Sequence, residues 1–225
     1  MENKPSLVAT GIYKSFYDPA KVDILKGISF SINRGEFCSI TGKSGCGKST
    51  LLYILSTMDT DYKGELFIDS ELMTNKSEKE LAFVRNEKIG FVFQFHYLLN
   101  EFSVLKNVML PGFKSSKHTE EELEHKAYEL LKKLGIEKLS SKMAYQVSGG
   151  EKQRVAIARS MINDPVILMC DEPTGNLDSK NTEIVFEIFK ELVHAFNKTI
   201  LVVTHDENFS KKTHRIITMR DGSIM

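Results

Sequence analysis

Residues 42–50 read Gly-Lys-Ser-Gly-Cys-Gly-Lys-Ser-Thr, and no other stretch restricts the possible folds of this chain so tightly. The stretch satisfies the phosphate-loop pattern GxxxxGK[ST], whose glycines permit backbone torsions that other residues resist, so that consecutive amides converge on phosphate oxygens. Such a loop works between a strand and a helix. Phe37-Cys38-Ser39-Ile40-Thr41 supplies the strand-like run before it, and Ser49 to Met58 reads as the helix after it. Gly42, Ser44, Gly45, Cys46, Gly47, Lys48, Ser49 and Thr50 are therefore candidate nucleotide-binding residues. Lys48 would reach the β and γ phosphates of ATP, the Ser49 hydroxyl would hold Mg²⁺, and the helix adds its positive N-terminus.

The rest of the chain extends this beginning into an α/β fold with a helical insertion. Ile28, Phe30 and Ile32 alternate with Ser29 and Ser31 before the Arg34-Gly35 turn, and Glu65 to Ile68 and Ile89 to Phe93 are further short strands. Thr119 and Glu122 form a capping-box pair, after which Leu123, Ala127, Leu130, Leu131 and Leu134 hold one helical face until Gly135. A second helix begins near Gly150 and runs towards Asn163. Val166 to Cys170 is a continuous apolar run, as expected of a buried parallel strand. Asn181 to Phe196 reads as helix, Thr199 to Thr204 as another buried strand, and Arg215 to Ile224 as a hairpin around Asp221-Gly222.

Composition narrows the function classes. The chain has 225 residues, enough to bury one large core without disulfides or structural metals. Thirty basic and thirty acidic residues cancel, which argues against binding along a nucleic-acid backbone. No apolar run approaches the roughly 18 to 20 residues needed to cross a bilayer. Met1-Glu2-Asn3-Lys4-Pro5 has no apolar segment behind it to act as a secretory signal. Cys38, Cys46 and Cys170 make no CxxC pair, so no zinc cluster or disulfide framework is expected, and a reducing cytoplasm suits them.

Two other segments carry chemistry. The apolar strand at Val166 ends in Asp171-Glu172, where a strand-tip carboxylate beside a phosphate loop can meet magnesium and its neighbour can polarise an attacking water. Ser148-Gly149-Gly150-Glu151 opens the second helix as another glycine-flanked N-terminus, hence a second potential anion site. A nucleotide already held by Lys48 has no need of it, and a plain Ser148 N-cap is the simpler reading of that segment alone.

Residues 148–159, Ser-Gly-Gly-Glu-Lys-Gln-Arg-Val-Ala-Ile-Ala-Arg, resemble the signature segment of ATP-binding-cassette (ABC) ATPases, with Val147 where Leu is usual. The family's other landmarks follow in order across nearly the whole chain. Gln94 resembles the Q-loop residue, Asp171-Glu172-Pro173-Thr174 the Walker B end, Asn176-Leu177-Asp178 the D-loop, and Thr204-His205-Asp206 the H-loop. Phe16 sits where the family places the aromatic that stacks on adenine, with Tyr17 as the alternative. The resemblance implies a phosphate-loop NTPase with a RecA-like core, an antiparallel β subdomain and a helical subdomain. Residues 1–94 and 165–225 would form the core with its β subdomain, and 95–164 the helical one. It implies a head-to-tail homodimer in which each ATP lies between the Lys48 loop of one subunit and Ser148-Gly149-Gly150, with Asp178, of the other. Glu172 would be the general base, His205 would contact the γ-phosphate, and Gln94 would join Ser49 and Asp171 around magnesium.

Phe93-Gln94-Phe95-His96-Tyr97-Leu98-Leu99 resembles the Q-loop region of the lipoprotein-releasing (Lol-type) ATPases. Pro173 to Asp178 and Met219-Arg220-Asp221-Gly222 are shared with the MacB-type efflux and FtsE-type cell-division ATPases. The implied role is the ATPase subunit of a membrane exporter or extractor, lying peripherally on the cytoplasmic face of the inner membrane. Its Q-loop and helical subdomain would contact separate permease subunits, with no cargo or nucleic acid bound directly. A chromosome-structure ATPase would need a long coiled coil between Lys48 and Ser148, and a small-molecule kinase leaves residues 148–159 unexplained. Cys46, at a position often Ser or Gly, is expected to place its thiol at the phosphates and to make the site sensitive to thiol reagents.

Overall fold

The computed structural model describes residues 4–17, 20–115 and 117–225; Met1 to Asn3, part of the start read above for a secretory signal, lie outside them. Two long strands, β1 (Pro5–Tyr17) and β2 (Lys21–Asn33), form an antiparallel hairpin. With β4 (Lys63–Ile68) and β5 (Glu71–Leu72) they make a four-stranded sheet in the order β2-β1-β4-β5.

The second sheet positions the chemistry. It contains β3 (Phe37–Thr41), β6 (Ile89–Val92), β7 (Ile167–Asp171), β8 (Thr199–Val203), β9 (Arg215–Arg220) and β10 (Ser223–Ile224), in the order β10-β9-β3-β8-β7-β6. All neighbours pair in parallel except the terminal β9–β10 hairpin. The phosphate loop follows β3, His205 follows β8, Glu172 follows β7 and Gln94 follows β6. Four adjacent parallel strands thus deliver these residues to one carboxyl edge, where ligands of open α/β sheets bind.

The alternation of the central strands explains the two cores. Leu168, Cys170, Ile200 and Val202 join one cluster, while Ile167, Met169, Leu201 and Val203 join the other. Period-two geometry sends successive side chains to opposite faces, so a run that is apolar throughout needs cover on both. One face is covered by α1 (Lys48–Leu55) and the antiparallel sheet through Leu51, Leu52, Leu7 and Ile28. The other is covered by α5 (Gly149–Met161) and α6 (Ser179–His194), continuous with α3 (Val104–Ser115) and α4 (Glu120–Lys133). The helices between β6 and β7 therefore share one apolar cluster with the sheet. Helices α2 (Glu78–Glu87) and α7 (Glu207–Ser210) and two 3-10 turns, Glu137–Leu139 and Ala144–Gln146, complete the helices among the described residues.

Most elements lie where the sequence places them, with local differences at their ends. Helix α1 stops at Leu55 instead of Met58, and Thr57 then takes a left-handed φ of 62°. Helix α6 starts at Ser179, two residues ahead of Asn181, because Asp178 accepts the Asn181 amide hydrogen as an N-cap. The Thr119–Glu122 capping box forms as read. Among the described residues no helix is long and apolar enough to cross a membrane.

Candidate nucleotide site

The loop after β3 is shaped by its glycines. Gly42 has φ +150° and a Cβ there would collide with the Met219 carbonyl oxygen; Gly47 has φ +99° and a Cβ would sit 2.9 Å from the Leu25 Cδ2. Gly47 is also the N-cap of α1 and offers no side-chain acceptor, so the first-turn amides of that helix are left for an anion. Lys48 is buried, and its Nζ donates to the carbonyls of Gly42 at 2.8 Å and Lys43 at 3.1 Å. Its ammonium therefore lies within the curve of the loop, while Ser44, Gly45 and Ser49 are exposed around it and Thr50 is half-buried.

Cys46 departs from expectation. Its thiol is buried among the apolar residues beneath the loop, close to Gly42, rather than projecting to the phosphate side. A thiol behaves as a small hydrophobe, and the cluster beside Leu25 and Leu51 takes it. Only the Cys46 backbone remains part of the cradle.

The acidic pair divides into two environments. Asp171, the last residue of β7, is buried and accepts a hydrogen bond from the Ser49 Oγ at 3.2 Å. Burial pushes its carboxyl above the usual range and the neighbouring Glu172 charge adds to this, while the Ser49 hydrogen bond opposes it. Glu172 takes a left-handed φ of 46°, uncommon outside glycine and concentrated at functional sites. Its carboxylate meets His205 twice: Nδ1 lies 2.9 Å from Oε1, and the His205 backbone N–H donates to Oε2 at 3.3 Å. With Nδ1 as the donor, the opposite ring nitrogen points away from Glu172 on an imidazole that is 71% exposed.

Gln94 lies beside the loop that follows Glu172. Its backbone carbonyl accepts from Asn176 Nδ2 at 3.2 Å, and its side-chain Nε2 packs over Gly175. No hydrogen bond among the described residues joins it to Ser49 or Asp171. The stretch beyond Gln94 is clamped from α5, where the Arg159 guanidinium donates to the carbonyls of His96 at 2.6 Å and Tyr97 at 2.7 Å. Phe16 is 48% exposed near the end of β1, with the Lys14 ammonium 5.1 Å above its ring; Tyr17 is the more exposed and faces the other side. Lys14 pairs across the hairpin with Leu25, the residue against Gly47, and the register shifts between Lys14 and Ser15 before Phe16 pairs with Val22.

Ser148 N-caps α5 in a full capping box with Glu151, and Gly149 beside it is exposed with open space where a Cβ would be. This helix end is not hydrogen-bonded to the Lys48 loop among the described residues; it packs instead on Asn181 of α6. The structure thus gathers Lys48, Ser49, Asp171, Glu172 and His205 along one sheet edge, with Gln94 beside Gly175. It leaves Ser148-Gly149-Gly150 and Asp178 as a separate surface. Sequence reading missed Arg159 as a clamp and Asp178 as a cap. The pattern Asp-x-x-Asn at 178–181 was the available signal for the cap, whereas nothing local marked the clamp.

The chain has similar relatives over nearly its whole length. A model of the family described as ABC transporter matches residues 25–175. The chain is 48% identical to the lipoprotein-releasing system ATP-binding protein LolD of Aquifex aeolicus over 90% of each chain. It is 46% identical to the LolD of Bacteroides fragilis over 96% of this chain and 98% of that one. Among solved structures, the dimeric bacterial ABC transporter cassette MJ0796 superposes with a TM-score of 0.89 at 38% identity, covering 97% of this chain and 96% of that one. A post-hydrolysis dimer of the same cassette with ADP and Pi also gives 0.89, at 37% identity and the same coverage. A phosphate loop, an acid–histidine pair and a glycine-opened helix on this fold, together with these matches, place the chain in the ABC transporter family.

Proposed function

We propose that the chain is the ATP-hydrolysing subunit of a lipoprotein-releasing ABC transporter, working as a homodimer on the cytoplasmic face of the inner membrane. The observation that carries the reading is the Glu172–His205 contact of 2.9 Å at the strand edge that also holds Ser49, Asp171 and the Lys48 loop. The choice of cargo rests on identity to LolD proteins over almost the full length of both chains.

In this reading the amides of Gly42 to Thr50 and the Lys48 ammonium bind the phosphates of ATP, and Phe16 stacks on adenine. Glu172 takes a proton from the attacking water. His205 holds that carboxylate in place through Nδ1 and directs its other ring nitrogen to the γ-phosphate. Ser148, Gly149 and Gly150 of the second copy close over the same phosphates, which accounts for an exposed helix N-terminus with open space at Gly149. Asp178 of the D-loop lies on that closing surface.

Magnesium fits the residues present, because the buried Asp171 carboxylate and the Ser49 hydroxyl offer two oxygens 3.2 Å apart beside the loop. Bound there, with Gln94 as a further oxygen donor, the ion would neutralise charge developing on the phosphate oxygens. Core residues 1–94 and 165–225 hold the nucleotide, and helical residues 95–164 pass closure to the permease subunits through the Gln94 segment.

The test is purification with the native membrane partner, followed by reconstitution in vesicles carrying a lipoprotein. ATP-dependent release of the lipoprotein supports the reading. ATP-driven movement of a macrolide instead, or a partner without a large periplasmic portion, contradicts it.

A further inference from the structure

Asn181, in the first turn of α6, is used by two neighbours at once. Its backbone N–H donates to Asp178 Oδ1 at 2.7 Å, which is the ordinary N-cap bond. Its side-chain Nδ2 then lies 3.0 and 2.9 Å from Oδ1 and Oδ2 of the same carboxylate. That fork is more than a cap requires, and it fixes the orientation of the Asp178 carboxylate. These hydrogen bonds hold the Asp178 carboxyl below the usual carboxylate range. The other end of the amide presses on α5. A Cβ added at Gly150 would fall 2.5 Å from the Asn181 side-chain carbon and closer still to Oδ1. Gly149, one residue earlier, has no atom within 4 Å of its Cβ position. An alanine at Gly150 would therefore have to displace the Asn181 amide, whereas one at Gly149 would displace nothing.

We propose that Asn181 is a positioning residue that locks Asp178 to the N-terminus of α5, so that these two parts of the closing surface move as one unit. The cap bond and the packing contact each have an ordinary structural reading, since Asp N-caps are common and glycine often allows close helix approach. Their combination in a single side chain is what makes a link between two surface elements. The activity arm of the test rests on the ATP-closed homodimer proposed above; the stability arm does not.

Asn181→Ala keeps the backbone cap bond and removes both the fork and the contact with Gly150, so α6 stays folded. Its melting temperature is expected to stay within about 1–2 °C of the parent, as for other surface substitutions. Binding of a fluorescent ATP analogue to the Lys48 loop is expected unchanged. The kcat for phosphate release falls on the order of tenfold, the loss expected for one hydrogen bond to a charged group, and the Hill coefficient for ATP drops towards one. Asn181→Asp, which sets a second carboxylate against Asp178, is expected to be worse than the alanine.

The stability arm is a double-mutant cycle read by thermal melting. Gly150→Ala lowers the melting temperature in the parent, and adding Asn181→Ala recovers most of that loss because the clashing atoms are gone. An equal penalty for Gly150→Ala in both backgrounds overturns the lock. So does an Asn181→Ala protein with parental kcat and Hill coefficient. A parent chain with no ATPase at all, combined with a recovering cycle, counts against the proposed function and leaves the contact standing.

Discussion

Replacing Asp171 by Asn should make the nucleotide-free protein more stable while crippling its use of magnesium. The carboxylate is buried at the end of β7, where burial and the adjacent Glu172 charge both disfavour its ionised form. Asparagine has nearly the same shape and can still accept the Ser49 hydrogen bond now 3.2 Å long. Loss of the charge weakens that bond from about 1.5–3 to about 1 kcal/mol, whereas several kcal/mol of desolvation are relieved for a buried ion. Taking about 3 kcal/mol for the desolvation relieved, the difference favours the variant by about 1–2.5 kcal/mol, or about 2–10 °C in Tm for a chain of this size. The sign reverses nowhere but the gain fades with acid. A folded-state pKa raised above the unfolded value means that the group stabilises the fold below its unfolded pKa and loses that contribution as pH rises through the folded pKa. At pH 7 the parent therefore carries the penalty, and at pH 4 the two melting curves should draw together. Differential scanning calorimetry at both pH values reads this directly. Added Mg·ATP should raise the Tm of the parent more than that of the variant, because only the parent offers an anionic oxygen to the ion. A variant that melts below the parent at pH 7, or a gap that persists unchanged at pH 4, refutes the reasoning.

His205→Ala removes the Nδ1 contact to Glu172 from an exposed position. It should lower kcat by on the order of 10²-fold with KM for ATP nearly unchanged, and steady-state phosphate release checks both. Cys46, with its thiol buried under the loop, should react with a bulky maleimide far more slowly than an exposed thiol, measured by mass spectrometry. Cys46→Ser should leave fluorescent-nucleotide affinity within about twofold, because a buried hydroxyl perturbs stability by about 1–3 kcal/mol rather than the phosphate contacts. Rapid stoichiometric labelling at Cys46 would return its side chain to the phosphate face.

Features with strictly local causes were legible from the chain alone. The phosphate loop is set by glycine spacing, β7 and β8 by unbroken apolar runs, and the starts of α4 and α5 by Ser or Thr three residues before Glu. Elements whose causes are distant were not. Strand β1 takes a positive φ of 58° at Gly11, where the pairing with β2 shifts register, so its alternation is interrupted. Helix α2 opens on the same signal at Ser77 and Glu80, which was overlooked, but it buries only Leu81, Val84 and Glu87, so its apolar face was too sparse to support it. Helix α3 carries Pro111, ordinarily a break; the structure retains it, and Asn163 Nδ2 donates to the Pro111 carbonyl at 3.1 Å. The candidate site residues were likewise named through family resemblance, but their partners were not. That His205 grips Glu172 follows from β8 lying beside β7, and that Asn181 meets Gly150 follows from how α6 packs on α5. The Cys46 expectation failed for a related reason: loop position alone does not say which way a side chain turns.

The account centres on Glu172 as the base of an ATP-closed dimer, and Glu172→Gln tests it in one measurement. The amide keeps the side chain's size but cannot take a proton, so hydrolysis should fall by about 10²–10⁴-fold while ATP still binds. Light scattering coupled to size exclusion, run with and without ATP, should then show a monomer becoming a stable dimer only when ATP is present. A variant that stays monomeric with bound ATP, or that releases phosphate at the parental rate, would contradict the assignment.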